Sequence, residues 1–154
     1  MQNIEMLNQK LEELQKRLHK MKKENIVEDK FLHSGEFTIM KLIANYQMRT
    51  DKNPTSIILS NKLEISQATI TTLTDRLIKK GLITKETSPK DKRVKELALT
   101  DKGKEFLEFN YQKKLKVLKT MTEGLGQEDT TKLIDIVDKI NENLELQNKG
   151  AKDK

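Results

Sequence analysis

The chain has 154 residues, of which 34% are hydrophobic and 35% are charged, and it contains no cysteine. A chain of this length buries a modest core, so the composition favours a helix-rich, elongated oligomer, and the lack of cysteine excludes disulfides, thiolate metal sites and cysteine nucleophiles. No apolar run approaches the roughly 18 residues of a membrane span, and the N-terminus lacks the apolar core of a signal peptide, so we expect no membrane association and a cytoplasmic location.

The first two predicted elements are helices. In the N-terminal helix, apolar residues recur at spacings of three and four and form a narrow seam that suits another helix. This seam consists of Ile4, Leu7, Leu11, Leu14, Leu18 and Met21. The second helix should begin at Ser34, its expected N-cap, with Glu36 favourable in its first turn. The residues expected to face inward from it are Phe37, Met40 and Ile43 or Ala44.

Two helices separated by a tight turn come next. The segment "RTDKNPTS" ends the preceding helix, and a short helix through Leu59 and Leu63 follows it. Ser66 should then cap a longer helix, "QATITTLTDRLIKKG", which ends at Gly81. An inward stripe of apolar side chains in this longer helix leaves its other face polar. The stripe consists of Ile70, Leu73 and Leu77.

A charged hairpin follows the longer helix. The segments "LITKET" and "VKELALT" have strand-like composition and are joined by "SPKDKR". From Arg76 to Lys95 there are eight basic and two acidic residues, a local net charge of +6, while the whole chain has 30 basic and 24 acidic residues, also +6. The rest of the chain is therefore balanced, at 22 residues of each sign. Such a concentration of charge attracts a polyanion, either nucleic-acid phosphates or an anionic membrane surface.

Two long helices complete the chain. Thr100 should cap the first, which passes through Phe106 and Leu118 and stops near "GLG". The last helix carries an apolar stripe, and the terminal "QNKGAKDK" is expected to be frayed. The stripe consists of Leu133, Ile136 or Val137, Ile140 and Leu144. The predicted fold class is mainly α with a small β-hairpin.

A helix-turn-helix followed by a two-stranded hairpin is the winged-helix arrangement, in which the second helix enters the DNA major groove by its N-terminal end. Hydroxyls and an amide on the outer face can bond to base edges, methyl groups can contact thymine, and Arg76 can bind a phosphate. Asp75 is expected to pair with Lys79 or to orient Arg76. The predicted DNA-binding residues are Ser66, Gln67, Ala68, Thr69, Thr71, Thr72 and Arg76 on the helix, and Lys90, Lys92 and Arg93 on the hairpin.

The segments "ISQATITTLTDRLIKKGLI" and "SPKDKRVKELALTDKGKEFL" resemble the MarR (multiple antibiotic resistance regulator) family of bacterial transcription factors. The resemblance implies one domain over residues 1–148, with a winged helix-turn-helix lobe at 34–99, dimerisation helices at 1–33 and 100–148, and a disordered tail at 149–154. It also implies a homodimer on a pseudo-palindromic operator in double-stranded DNA. Two positions depart from the family pattern: Glu64, where glycine is common, and Thr72, where arginine is common.

The resemblance assigns further roles within the chain. Arg93 would enter the minor groove, with Asp91 as the brace that positions it. A small-molecule effector would bind between the dimerisation and DNA-binding regions. Aromatic residues in this region are candidates for lining the effector site, but such residues more often belong to the hydrophobic core. These candidates are Phe31, Phe37, Phe106 and Phe109.

The sequence predicts a sequence-specific, ligand-responsive repressor rather than an enzyme. The two histidines, His19 and His33, are too few for a convincing zinc site, and no phosphate loop or activated nucleophile is present, so no metal or cofactor is expected. The alternative is a helical interaction module whose hairpin binds an acidic protein or an anionic surface. Sequence preference separates the two, because a surface acting by charge alone binds any polyanion equally.

Overall fold

The computed structural model of the chain describes residues 2–25, 32 and 34–152, with side chains defined for all of these except 22–25 and 148–152. These residues form six helices and a two-stranded antiparallel sheet, which confirms the predicted fold class. The helices are α1 (Gln2–Asn25), α2 (Ser34–Thr50), α3 (Ser56–Leu63), α4 (Gln67–Lys79), α5 (Asp101–Thr122) and α6 (Gly126–Lys152), and the strands are β1 (Ile83–Thr87) and β2 (Lys95–Leu99).

The chain forms two compact units, residues 1–111 and 112–154. The core of the first unit is built by α2, α3, α4 and the hairpin around fully buried aliphatic side chains, because each of these elements has one apolar face. These are Ile39, Met40, Ile43, Leu59, Ile70, Leu77, Leu82, Ile83 and Leu97. Replacing any one of these side chains with alanine would leave a cavity, which typically lowers the free energy of unfolding by about 2 to 5 kcal/mol.

Helix α2 differs from its prediction in detail. Ser34 is already helical, so it does not cap the helix from outside. Met40 and Ile43 are buried as expected, whereas Phe37 is half-buried and Ile39 joins the core without having been predicted. The buried stripe is therefore rotated slightly from the predicted one.

The turn between α3 and α4 is built from local hydrogen bonds. The Ser60 hydroxyl donates to the Ile65 carbonyl at 2.6 Å, and Ser66 caps α4 as predicted, its hydroxyl accepting from the Thr69 amide at 3.1 Å. Glu64 lies between them with φ 54° and ψ 38°, in the left-handed region. This conformation suits glycine better than a side-chain residue, which explains why glycine is the expected residue at such a turn.

The hairpin has the register Ile83 opposite Leu99, continuing to Thr87 opposite Lys95. A third segment joins its outer edge: the Leu97 amide donates to the Pro54 carbonyl at 2.8 Å, and Thr55 forms an isolated antiparallel bridge with Glu96. Since Thr55 also caps α3, the start of the helix-turn-helix is tied directly to the wing strand.

The start of α5 packs tightly against the turn that joins α4 to β1. Thr100 caps α5, its hydroxyl accepting from the Gly103 amide at 3.0 Å and donating to the Gly81 carbonyl at 2.7 Å. Gly103 is buried, and a Cβ atom built on it would lie 2.1 Å from the carbonyl oxygen of Leu82. Only glycine allows this approach, which accounts for the "LTDKG" sequence at this junction.

The predicted apolar seam on α6 is exposed throughout, whereas the seam on α1 is exposed from Ile4 to Leu14 and half-buried at Leu18 and Met21. On α1, Ile4 is 69% and Leu14 is 41% exposed. On α6, Ile136 and Leu144 are 54% and 58% exposed. Helix α6 also continues to Lys152, beyond the predicted end of the ordered domain at residue 148. Within the described part of the chain, no helix combines the length and apolar character needed to cross a membrane.

Candidate nucleic-acid interface

The outer face of α4 is polar and open. All seven residues predicted to contact DNA from this region are exposed, whereas Ile70, Thr74 and Leu77 point into the core. The predicted inward stripe is therefore correct at Ile70 and Leu77, while Leu73 is only half-buried and Thr74 takes part in its place. The exposed residues are Ser66, Gln67, Ala68, Thr69, Thr71, Thr72 and Arg76.

The threonine hydroxyls on this face are already committed as donors. Thr71 Oγ1 donates to the Gln67 carbonyl at 2.9 Å, and Thr72 Oγ1 donates to the Ala68 carbonyl at 3.0 Å. Each hydroxyl oxygen keeps lone pairs that can accept a hydrogen bond, and each side chain presents a methyl group. In this state the two residues are suited to the amino groups of adenine or cytosine, or to the methyl group of thymine.

Asp75 and Arg76 are also exposed on α4. Among the ion pairs of the described residues, none joins Asp75 to Lys79 or to Arg76, so the expected pairing with Lys79 is not seen. The carboxylate therefore remains a negative charge on a face that is otherwise neutral at its N-terminal end, and the guanidinium of Arg76 is left available for an anion.

The wing tip has a defined backbone. Ser88 is buried, its amide donates to the Val94 carbonyl at 2.9 Å, and its hydroxyl accepts from the Lys90 amide at 3.3 Å. The Val94 amide donates to the Asp91 carbonyl at 3.0 Å, which closes a tight turn over residues 91–94. Sequence reasoning missed the role of Ser88, although a serine followed by proline at a hairpin end is a recognisable turn signal.

Asp91 acts on the backbone of the wing. Its Oδ1 accepts from the Arg93 amide at 2.9 Å, the geometry of an Asx turn. The predicted brace thus reaches the main chain of Arg93, and the described residues contain no ion pair between the Asp91 carboxylate and the Arg93 guanidinium. Lys90, Lys92 and Arg93 are all exposed, so the tip presents three cations with an ordered backbone beneath them.

The aromatic residues predicted near an effector site do not share one environment. Phe37 on α2 and Phe106 on α5 are half-buried and meet edge to face, with ring centroids 6.3 Å apart. The ammonium of Lys41 lies 5.0 Å from the Phe37 ring centre. Phe109 is 57% exposed, and Phe31 lies outside the described residues. Of the three candidates within the described residues, Phe37 and Phe106 are in contact.

These features define a winged helix-turn-helix protein: α3 and α4 form the helix-turn-helix, α4 contacts β1, and the hairpin forms the wing. Residues 32–95, which contain α3, α4, β1 and the first residue of β2, match the model of the MarR family. The winged helix-turn-helix part of the chain is therefore similar to the MarR family.

Individual proteins are also similar to this chain in sequence or in fold. The uncharacterized HTH-type transcriptional regulator YdgJ of Bacillus subtilis is 29% identical over 86 residues, which are 56% of this chain and 52% of that protein, so the chain spans about half the length of this relative. Among solved structures, the YusO protein of Bacillus subtilis has a TM-score of 0.72 at 19% identity, covering 90% of this chain and 96% of that one. The MepR–DNA complex of S. aureus has a TM-score of 0.64 at 16% identity, covering 89% and 96%.

Proposed function

We propose that this protein is a dimeric, cytoplasmic transcriptional regulator that binds specific sequences in double-stranded DNA, acts by binding rather than by catalysis, and functions as a repressor released by a small-molecule effector. The observation that carries the proposal is the exposed, threonine-rich face of α4 next to a wing with a basic tip. YdgJ is described as a transcriptional regulator, and MepR has been crystallised with DNA, so this fold is compatible with duplex binding.

In the proposed complex, the N-terminal half of α4 lies in the major groove. Thr71 and Thr72 accept hydrogen bonds from base amino groups or contact thymine methyl groups, and Arg76 binds a backbone phosphate. The wing places Arg93 in the minor groove, where the negative potential favours a guanidinium, while Lys90 and Lys92 bind phosphates.

Selection of duplexes from a random library tests this division of labour. Thr71→Ala and Thr72→Ala should relax preference at particular base pairs, by about 1 to 3 kcal/mol for each good base contact that is lost. Lys92→Ala should instead weaken all duplexes alike and reduce the salt dependence of binding. If the threonine variants also lowered affinity uniformly across sequences, α4 would not be reading bases, and the alternative of a charge-driven surface would be favoured.

The dimer is proposed from the exposed seam of α1. Leu11 and Leu14 are 48% and 41% exposed in the single chain, and a stripe of this kind is normally covered by another helix. Leu11→Asp combined with Leu14→Asp should produce folded monomers, because neither side chain is in the core of its own chain. Sedimentation velocity measures the change, with Lys10→Asp on the charged side of α1 as the control. A doubly substituted protein that still sedimented as a dimer would remove α1 from the interface.

The brace at Asp91 is tested by two substitutions that both remove its charge. Asp91→Asn keeps an oxygen that accepts from the Arg93 amide, so binding to the selected duplex should become slightly tighter as the net charge rises. Asp91→Ala also loses the Asx turn, so it should bind more weakly by about 1 kcal/mol despite the same gain in charge. Titration of labelled duplex at two salt concentrations compares them. Equal tightening in both variants would mean that Asp91 acts through its charge alone.

The effector proposal rests on the half-buried Phe37 and Phe106, which join α2 to α5 next to the core that supports α4. A ligand that separated these rings would bias the position of α2 and hence the DNA-binding lobe. Screening small aromatic compounds for release of the selected duplex would test it, with Phe106→Leu as the variant expected to lose the response.

A further inference from the structure

The most deeply buried charge in the described chain joins two helices that are far apart in sequence. Glu36, in the first turn of α2, has no exposed surface, and its Oε2 lies 2.5 Å from the ammonium of Lys80. Lys80 is the C-cap residue of α4, and its side chain is 23% exposed. The pair therefore connects α2 to the C-terminal end of the helix that carries the candidate base-reading residues.

Two further bonds hold the same end of α4. Lys102 Nζ donates to the Lys80 carbonyl at 2.8 Å, and Thr100 Oγ1 donates to the Gly81 carbonyl at 2.7 Å, both from the start of α5. At the N-terminal end, by contrast, the side-chain hydrogen bonds of Ser66, Thr71 and Thr72 run within the turn and helix themselves. Polar contacts from neighbouring elements are thus concentrated at the C-terminal end of α4.

Because of this arrangement, a change in direction at the ion pair would displace the N-terminal end of α4. Helix α4 has 13 residues, so it is about 20 Å long at 1.5 Å per residue. A tilt of about 10° at one end displaces the other by roughly 3 Å, which is more than a hydrogen bond tolerates. A buried ion pair often contributes little net stability compared with apolar residues of similar size, because both charges must be desolvated, and in some proteins such a group instead specifies the geometry of its partners.

We propose that Glu36 and Lys80 are positioning residues for DNA sequence recognition. Their ion pair sets the direction of α4 relative to α2, and through it the placement of Thr71 and Thr72 against the bases. The inference rests on the proposed function. It predicts that loss of the ion pair lowers the discrimination between DNA sequences more than it lowers the stability of the fold, although the pair lies at the opposite end of α4 from Thr71 and Thr72.

The test uses Glu36→Met combined with Lys80→Met in the full chain. This double variant keeps the net charge of +6, so the non-specific attraction to DNA is conserved, and it replaces both charges with apolar side chains of suitable size. The ratio of affinities for the duplex selected by the wild type and for a scrambled duplex of the same composition is measured. We expect this ratio to fall by about tenfold or more, as for a lost base contact, while the melting temperature stays within a few degrees of the wild type.

Two single variants control for other effects. Lys80→Met alone leaves the buried carboxylate without its lysine and should lower the melting temperature by roughly 10 °C. Lys79→Met removes an exposed charge from the neighbouring position and should weaken both duplexes equally. If the double variant does not fold, Lys80→Arg keeps the charge but changes the geometry of the contact, and it should also reduce discrimination.

The outcomes are distinct. A folded double variant that discriminates between the two duplexes as well as the wild type overturns the inference, as does unchanged discrimination by Lys80→Arg where the double variant is unfolded. A wild-type protein that binds the selected and scrambled duplexes equally overturns the proposed function itself, and the positioning role with it.

Discussion

Replacing Gly103 with alanine is expected to destabilise the 1–111 unit by about 3 kcal/mol or more, at the upper end of the cost of overpacking. The added Cβ would lie 2.1 Å from the Leu82 carbonyl oxygen and 3.1 Å from its carbon, so backbone rather than a flexible side chain would have to move. That carbonyl also accepts from the Thr100 amide at 3.1 Å, so the shift would disturb the cap of α5 as well.

Chemical denaturation of the variant and two control glycine substitutions measures this effect. A Cβ atom added at Gly124 would have no neighbour within 4 Å, so Gly124→Ala should change stability little. Gly81→Ala also meets no atom, but its φ of +70° is unfavourable for alanine, so it should cost about 1 kcal/mol. A Gly103→Ala protein as stable as Gly124→Ala would show that α5 does not approach Leu82 so closely.

The second large effect is expected at the wing tip. Arg93→Ala should weaken binding to the selected duplex by about 10- to 100-fold, the range of a hydrogen bond to a charged group, because the guanidinium would otherwise lie in the narrow groove. The melting temperature should barely change, since the side chain is exposed and has no ion pair within the described structure.

Matched variants separate geometry from charge at this position. Lys90→Ala removes the same charge from the same tip and should cost less than Arg93→Ala, because a lysine at a phosphate contributes mainly through counterion release. Arg93→Lys keeps the charge and should recover only part of the affinity. Equal losses for Arg93→Ala and Lys90→Ala would indicate that the tip works through charge alone.

Local features of the fold were predictable because they follow from local chemistry. The spacing of apolar residues determines the helices, and Ser66 and Thr100 cap them where a hydroxyl precedes an apolar-periodic segment. The exposed face of α4 followed from the same periodicity, since Ile70 and Leu77 had to point inward. The conformation and exposure of these residues are determined mainly by residues close to them in the sequence.

Features that depend on distant partners were not predictable in the same way. Glu36 was predicted only to be favourable in the first turn of α2, and its burial beside Lys80, 44 residues away, was not predicted. Asp91 was predicted to position the side chain of Arg93, yet its carboxylate accepts a hydrogen bond from the backbone amide of Arg93. The residue types alone do not distinguish these two contacts. The left-handed conformation of Glu64 could not be read from its residue type, and only the resemblance to a family in which glycine is common there pointed to this position.

The confinement of the positive excess to residues 76–95 sets the order of events when such a molecule meets DNA. Under the proposed function, long-range attraction would act mainly on this segment, so the protein would be turned towards the duplex before any short-range bond forms, and the rate of association would fall as salt rises. The proposed contacts of the uncharged threonines of α4 would form only after arrival and would determine how long the complex lasts. The proposed regulator would reach any DNA quickly, move along it, and remain where the bases match.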